Sequence, residues 1–364
     1  MDCNEVRIER LSLETFCAEV FSRHHLSPED SRISASVLVA ADACGIPSHG
    51  VARLARYVNG LNTGLMLPDA EPVTINETPS SLVVDAQGGM GAPVAAKTMQ
   101  RVIQKAQNNG AAFACVKNSN HFGIAGYYAK MALPHNLLGL SMTNTATLGV
   151  PTFGRSALFG TNPLAFAAPA NKEIAFVLDM STTVVTRGKI EVYDRTNHEL
   201  PDGWAVDPKG AVIRKPDVLL QNFQDRSGGG ILPLGGFGTQ FSGHKGYGLA
   251  VMVDILCAVL CGDNFGQHVF DTPTSSGRVS HFFGAIDIAR FRDPQEFRAD
   301  MDQMLYELRT SEPADGEERV YYAGLPEREF EEASNKSGVP VLGKTWEKLL
   351  EIAGTTGVRA PEHT

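Results

Sequence analysis

The chain has 364 residues and a formal net charge of −9, with 43% hydrophobic and 20% charged residues. It can bury a large core divided over two or three subdomains. No basic run tracks a phosphate backbone, which excludes a nucleic-acid-binding groove. Cys3, Cys17, Cys44, Cys115, Cys257 and Cys261 lie mostly in apolar patterns without a CxxC pair, so reduced thiols and no metal site are expected. Met1-Asp2-Cys3-Asn4-Glu5 is not a basic-then-apolar leader, and a cytoplasmic protein is expected.

Helical periodicity comes first. Leu13, Phe16, Cys17, Val20 and Phe21 form one stripe, and Ser27-Pro28-Glu29-Asp30 opens a second helix bearing Ile33, Val37, Leu38 and Ala41. After Gly45-Ile46-Pro47-Ser48-His49-Gly50, Ser48 reads as the N-cap of a third helix that runs out near Asn62-Thr63-Gly64. On it His49, Arg53 and Tyr57 fall at i, i+4 and i+8 and share a face, while Leu54, Val58 and Leu61 form the apolar stripe. Arg53 offers a planar fork that matches a carboxylate, Tyr57 a neutral donor, and Ser48 and His49 two further donors beside a positive helix end. That is an anion pocket, or else a solvated face with an ordinary cap.

Leu82-Val83-Val84-Asp85 enters the glycine turn Gly88-Gly89-Met90-Gly91 and then a helix with Val94, Met99, Val102 and Ile103. It resembles half a dinucleotide fingerprint, but the third glycine is replaced by Val94 and the next strand ends in Lys117-Asn118, with no acid for a ribose. A tight packing turn is the better reading. Ala111 to Val116 reads as a buried strand, and Asn120 as the cap of a helix through Ala125, Tyr128 and Ala129. His121 then sits in an exposed crossover loop, a place that carries chemistry more often than packing, although a lone histidine is more often structural.

From Ser81 to about Arg290, short apolar runs such as Leu164 to Ala167 and Phe176 to Leu178 alternate with Gly, Pro and Asn, as in a mixed sheet with helices. Asp179 ends the second run and presents a carboxylate to ribose hydroxyls, with Ser181 and Thr182 beside it, unless it only closes a strand. Gly243-His244-Lys245-Gly246-Tyr247-Gly248 enters a helix from Leu249 to Cys261 that is interrupted by Asp254, too short to span a bilayer, and expected in the core. Lys245 and backbone N–H groups at its positive end suit a pyrophosphate, unless the glycines only permit a tight entry. Phe297, Met301, Met304, Leu305 and Leu308 mark a late helix, Glu312 to Glu318 an acidic loop, and residues from Gly354 a frayed tail. The expected units are residues 1–75 (helical, substrate-binding), 76–290 (mixed sheet, cofactor-binding) and 291–364, a helical segment returning to the first.

Five motifs occur in order: Pro47-Ser48-His49-Gly50 with Arg53 and Tyr57, Asn120-His121-Phe122-Gly123, Gly160-Thr161-Asn162-Pro163-Leu164-Ala165, Leu178-Asp179-Met180-Ser181, and Gly243-His244-Lys245-Gly246-Tyr247-Gly248-Leu249. Together they resemble the malate/L-lactate dehydrogenase family, which also includes L-sulfolactate dehydrogenase, ureidoglycolate dehydrogenase, diketogulonate reductase and piperideine-carboxylate reductase. The resemblance spans roughly residues 10 to 330. It implies an α/β protein with a helical N-terminal unit and a non-Rossmann NAD(P)-binding domain, assembled as a homodimer without nucleic-acid or membrane partners. It also implies interconversion of 2-hydroxy and 2-oxo acids. His121 matches the family's acid/base, and Ser48, His49, Arg53 and Tyr57 match residues around the substrate. Asn144, Thr161, Asp179, Met180, Ser181, Lys245, Gly246 and His121 itself match the cofactor site.

Two departures stand out. An acidic residue found in some members before the Val-Pro-Phe-Gly segment is absent, since Asn144-Thr145-Ala146-Thr147 stands there, and the C-terminal Pro-Gly-Glu becomes Gly324-Leu325-Pro326-Glu327. NAD is expected over NADP, because Asp179 would repel a 2′-phosphate, and oxaloacetate is expected because Arg53 and its neighbours could serve a second carboxylate. Another substrate of the same family, or a Schiff base on Lys245, are the alternatives.

Overall fold

The computed structural model describes residues 5–270, 272 and 277–363. The chain opens with β1 (Glu5–Ile8), α1 (Arg10–Arg23) and α2 (Pro28–Ala43), the last capped by Ser27, whose hydroxyl accepts from Asp30 N–H. One 3-10 turn (Val51–Arg53) leads into α3 (Leu54–Asn62). Next come β2 (Val73–Glu77), β3 (Ser81–Asp85), α4 (Gly91–Asn109), β4 (Ala111–Ser119), α5 (Ala125–Lys130), β5 (Leu137–Thr143), β6 (Leu164–Ala168) and β7 (Phe176–Met180). A small outlying unit holds α6 (Arg187–Arg195), β8 (Ala205–Val206), α7 (Pro216–Asp225) and β9 (Gly230–Ile231). The chain closes with α8 (Gly243–Cys257), β10 (Val279–Asp287), α9 (Pro294–Thr310), α10 (Leu325–Ser337), β11 (Val339–Leu342) and α11 (Gly343–Thr356).

Seven strands form one mixed sheet in the order β2-β3-β4-β10-β5-β6-β7, in which only β3 and β4 run parallel. A single parallel pair cannot build the doubly wound crevice of a Rossmann fold. The mixed α/β architecture is therefore non-Rossmann. The glycine turn before α4 is a packing device: a Cβ on Gly91 would lie 2.0 Å from the Asn120 carbonyl oxygen.

Two cores meet along this sheet. Leu82, Val84, Met99, Val102, Phe122, Tyr128 and Phe283 join α4 and α5 to the sheet. The other core is helical and joins Leu13, Phe21, Leu38, Leu54 and Tyr57 to Val339, Val341 and Leu349 from β11 and α11.

Several local expectations change. Gly50, not Ser48, precedes the first turn, and His49 stands outside the helix, so a turn rather than one helical face brings His49 toward Arg53. Asn120 does not cap α5, which begins after Ile124; its amide donates to the carbonyls of Gly88 and Gly89 at 2.9 Å each. His121 is half-buried, because the loop carrying it is pinned between the sheet and α3. The tail is not frayed: His363 bridges to Ile8 and meets Trp346 edge-on.

The helix expected in the core has an apolar outer face. Val251, Met252 and Ile255 of α8 are exposed, as are Val259 and Leu260 beyond it. Counted from Gly243 to Cys261 it is 19 residues with mean hydropathy 1.5, enough by length and composition to cross a bilayer, where the shorter count from Leu249 is not. Its inner face packs on β4, β5 and β10 through Val253 and Cys257.

Gly91→Ala should destabilise the protein by about 1–3 kcal/mol, the usual cost of overpacking. The clash is with backbone rather than a flexible side chain. Thermal or denaturant unfolding checks this, and an unchanged midpoint would contradict it.

Candidate active site

The site begins with a buried acid. Asp42, at the end of α2, accepts the Val51 N–H at 2.7 Å, and burial pushes its carboxyl up to about 7. A Cβ on Gly50 would lie 2.1 Å from that carboxyl, so only glycine lets the chain pass. The turn so fixed sends Arg53 toward the preceding loop, where its Nε donates to the Ser48 carbonyl at 2.6 Å. Ser48 Oγ and His49 Nδ1 share a 2.9 Å hydrogen bond.

Tyr57, one turn along α3, is buried in the helical core and shares a 2.6 Å hydrogen bond with His121 Nδ1. The phenol oxygen can accept from Nδ1–H in both the neutral and the charged ring, and the other ring nitrogen, Nε2, is not engaged by Tyr57. His49 stacks on His121 with ring centroids 5.5 Å apart.

These groups wall a cavity of about 430 Å³. Ser48, His49, Arg53 and His121 line it, as do Asn144, Thr161, Asp179, Met180 and Ser181. Tyr57 supports His121 from behind. Lys245 and Gly246 are not on this wall: Lys245 is exposed at the start of α8 and Gly246 is buried against the Leu234 backbone. A Schiff-base lysine sheltered among apolar neighbours is therefore not what the fold provides. Thr182 turns inward and spends its hydroxyl on the carbonyls of Thr161 and Asn162.

The cavity also holds residues that sequence patterns passed over. Arg56 and Arg187 line it, so three arginines and two histidines face one carboxylate, Asp179, among the described residues. Arg56 lies three residues from Arg53, and Arg187 opens α6 after a threonine-rich loop; both signals were readable. The Asn144 segment, which lacks an acidic residue of its own, meets a carboxylate from a distant helix. Asp254 of α8 accepts from Asn144 Nδ2 at 3.3 Å and Asn162 Nδ2 at 3.1 Å, a role that no local motif announces.

Burial sets the titration, with the crowding of cations second. Burial, followed by repulsion from Arg53 and Arg56, lowers His49 to about 4. Burial, then His49, Arg56 and Arg53, holds His121 well below the ordinary histidine range. Asp179 opens on the cavity but lies against the α5 backbone, where it accepts the Gly126 N–H at 2.7 Å; burial still raises it to about 6.

A second cavity of about 390 Å³ shares Ile46, Ile124 and Asp179 with the first. Gly324 and Glu327 line it, together with Lys130 and Arg328. The altered Gly324-Leu325-Pro326-Glu327 segment is thus a cavity wall despite its departure from Pro-Gly-Glu.

A family model for malate/L-lactate dehydrogenase matches residues 8–350. The chain belongs to the malate/L-lactate dehydrogenase family. It is 41% identical to a malate dehydrogenase of Pyrococcus abyssi, over 100% of this chain and 98% of that one. An L-sulfolactate dehydrogenase of Methanocaldococcus jannaschii is 34% identical, over 95% and 96%. Among solved structures, a malate dehydrogenase of Pyrococcus horikoshii superposes with a TM-score of 0.90 at 38% identity, covering 99% of this chain and 98% of that one. As a member of the malate/L-lactate dehydrogenase family the chain is an oxidoreductase acting on 2-hydroxy acids.

An anion seated against Arg53 and Arg56 offsets their repulsion of His121. Adding malonate, an unreactive dicarboxylate, should raise the His121 imidazole pKa by about one unit or more, equivalent to about 1.4 kcal/mol of favourable coupling. Imidazole proton NMR against pH checks this; a pKa indifferent to saturating malonate would show that the anion seats elsewhere.

Proposed function

We propose that the chain is a nicotinamide-dependent malate dehydrogenase in which His121 moves the proton. The carrying observation is the arrangement itself, with His121 Nδ1 held by Tyr57 and its free edge in a cavity rich in arginine. When bound, the nicotinamide supplies or takes the hydride at C2 of the acid. The residues fit such a group: Asn144, Thr161 and Ser181 offer amide and hydroxyl partners on one wall, and the two adjoining cavities give room for an extended dinucleotide.

Arg53 grips the carboxylate next to the reacting carbon, with Ser48 and His49 orienting it. His121 Nε2 donates its proton to the carbonyl oxygen during reduction and takes it back during oxidation, while Nδ1–H donates to the Tyr57 hydroxyl oxygen in both states and so keeps the Nε2 lone pair available for the returning proton. The depressed proton affinity of His121 serves the oxidation direction in the empty enzyme; arrival of the anionic oxo acid restores the acid form. Arg187, across the cavity and paired with Glu191 at 2.9 Å, meets the second carboxylate. This favours oxaloacetate over pyruvate, and it admits sulfolactate as a same-family alternative.

Asp179 stands at the seam of the two cavities, and Glu327 lines the second, so ribose hydroxyls are better served there than a 2′-phosphate. NAD is the proposed cofactor. A second copy of the chain would cover the apolar outer face of α8, giving a cytoplasmic homodimer.

A panel of 2-oxo acids with NADH and NADPH, followed by reduced-nicotinamide absorbance, tests the reading. Oxaloacetate with NADH should give the highest kcat/KM, and His121→Ala should lose about 10²- to 10⁴-fold of it. Retention above about a tenth would remove His121 from the proton step.

The pH dependence follows from the direction of the shift. A base whose proton affinity is depressed stays unprotonated through neutral pH, so kcat/KM for malate oxidation should be level there and fall only on acidification well below the ordinary histidine range. For reduction the acid form is needed, and kcat/KM should fall as pH rises. A rise with pH in the reduction direction would contradict the assignment. Asp179→Ser should narrow the preference for NADH over NADPH; an unchanged ratio would place Asp179 against another part of the cofactor.

A further inference from the structure

One buried histidine has no part in the proposed chemistry. His281 lies on β10, the strand between β4 and β5, and is wholly inaccessible to solvent. A register shift between Val279 and His281 marks a bulge against β4, which re-aims the side chain. Its Nδ1 lies 2.8 Å from Thr143 Oγ1 and its Nε2 2.9 Å from Ser119 Oγ.

Hydrogen-bond accounting favours one tautomer. The single Thr143 hydroxyl proton goes to the carbonyls of Asn144 and Ser280, at 2.9 and 3.0 Å, so Thr143 Oγ1 accepts from His281 Nδ1–H. Nε2 then carries the lone pair. It accepts from the Ser119 hydroxyl, whose other acceptor among the described residues is the Asn120 carbonyl at 3.5 Å. The ring is neutral and fully satisfied, in keeping with burial, which lowers it to about 3.

Its partners end the two strands that carry the cavity loops. Ser119 closes β4 two residues before His121, and Thr143 closes β5 immediately before Asn144. The His281 ring also lies flat on Phe122, the residue after His121, at 4.4 Å and 5°. Tyr128 stacks on Phe122 at 4.8 Å and donates to the Phe122 carbonyl. A single imidazole therefore ties β4, β5 and Phe122 together within two residues of the acid/base.

The geometry points to His281 as a positioning residue for proton transfer by His121: it holds Ser119 and Phe122, the flanks of the His121 loop, in register with the Asn144 wall. This rests on the His121 reading above. A neutral, aromatic group with a donor on one edge and an acceptor on the other is what the position requires. Phenylalanine keeps the stack and loses both hydrogen bonds, whereas glutamine keeps a donor and an acceptor and loses the ring.

The test compares wild type, His281→Phe and His281→Gln. With oxaloacetate and NADH, His281→Phe should lower kcat roughly 10- to 100-fold and raise the solvent deuterium isotope effect, since a small misplacement of an acid/base slows its own step. The KM for NADH should change less than about threefold, and His281→Gln should recover part of kcat. Ring-nitrogen NMR shifts of His121 should move away from their wild-type tautomer balance in His281→Phe. That readout needs no turnover and separates this inference from the assigned reaction: a wild type that reduces no 2-oxo acid overturns the reaction, not the positioning. A kcat that falls only with the folded fraction, with wild-type isotope effect and unchanged His121 shifts, would make His281 a stability element and overturn the inference.

Discussion

The hydrogen bond between Tyr57 and His121 joins the two cores of the molecule. Tyr57 is part of the helical core, and His121 leaves the end of a sheet strand, so neither half presents the site alone. Everything nearby serves that meeting. Asp42 and Gly50 fix the turn that starts α3, and Asn120 and Phe122 clamp the loop on either side of the imidazole. The flexible parts of a site are thereby replaced by packed ones, which is how a fold keeps reacting groups close to the geometry that chemistry demands.

Chemistry here depends on charge that is out of balance with its surroundings. A buried arginine or histidine is costly without a counter-ion. The cavity gathers His49, His121 and half-buried Arg53 on one wall, with the exposed Arg56 and Arg187 at its rim. Burial first, and the neighbouring cations after it, hold His121 below the ordinary histidine range. On the proposed reading, an anion seated among those cations would oppose the second cause and leave the first.

Much of this was legible in the chain. The stripes of α1 and α2 follow from spacing, because 3.6-residue periodicity is local, and Arg53 and His121, singled out by residue type and position, do line one cavity. The route by which His49 reaches the site was not, since the short turn at Val51 replaces a regular helical start and rests on Asp42, nine residues earlier in sequence. Asp254 and His281 were hidden for a stronger reason. Their partners lie 92 to 162 residues away, and nothing in their own segments records the contact. Lys245 shows the converse, a motif residue whose neighbourhood within one chain does not reach the cavity.

The cation-rich cavity lies in a chain whose net charge is −9. At distance an incoming dianion meets a repulsive field, and only within about a Debye length, roughly 8 Å at physiological ionic strength, do the local arginines dominate. Added salt screens the outer repulsion more than the inner attraction, because the inner contact is shorter than a Debye length and Arg53 is half-buried. Ionic strength therefore acts in opposite senses on the two legs of binding: it speeds encounter while it loosens the grip once the ligand is seated.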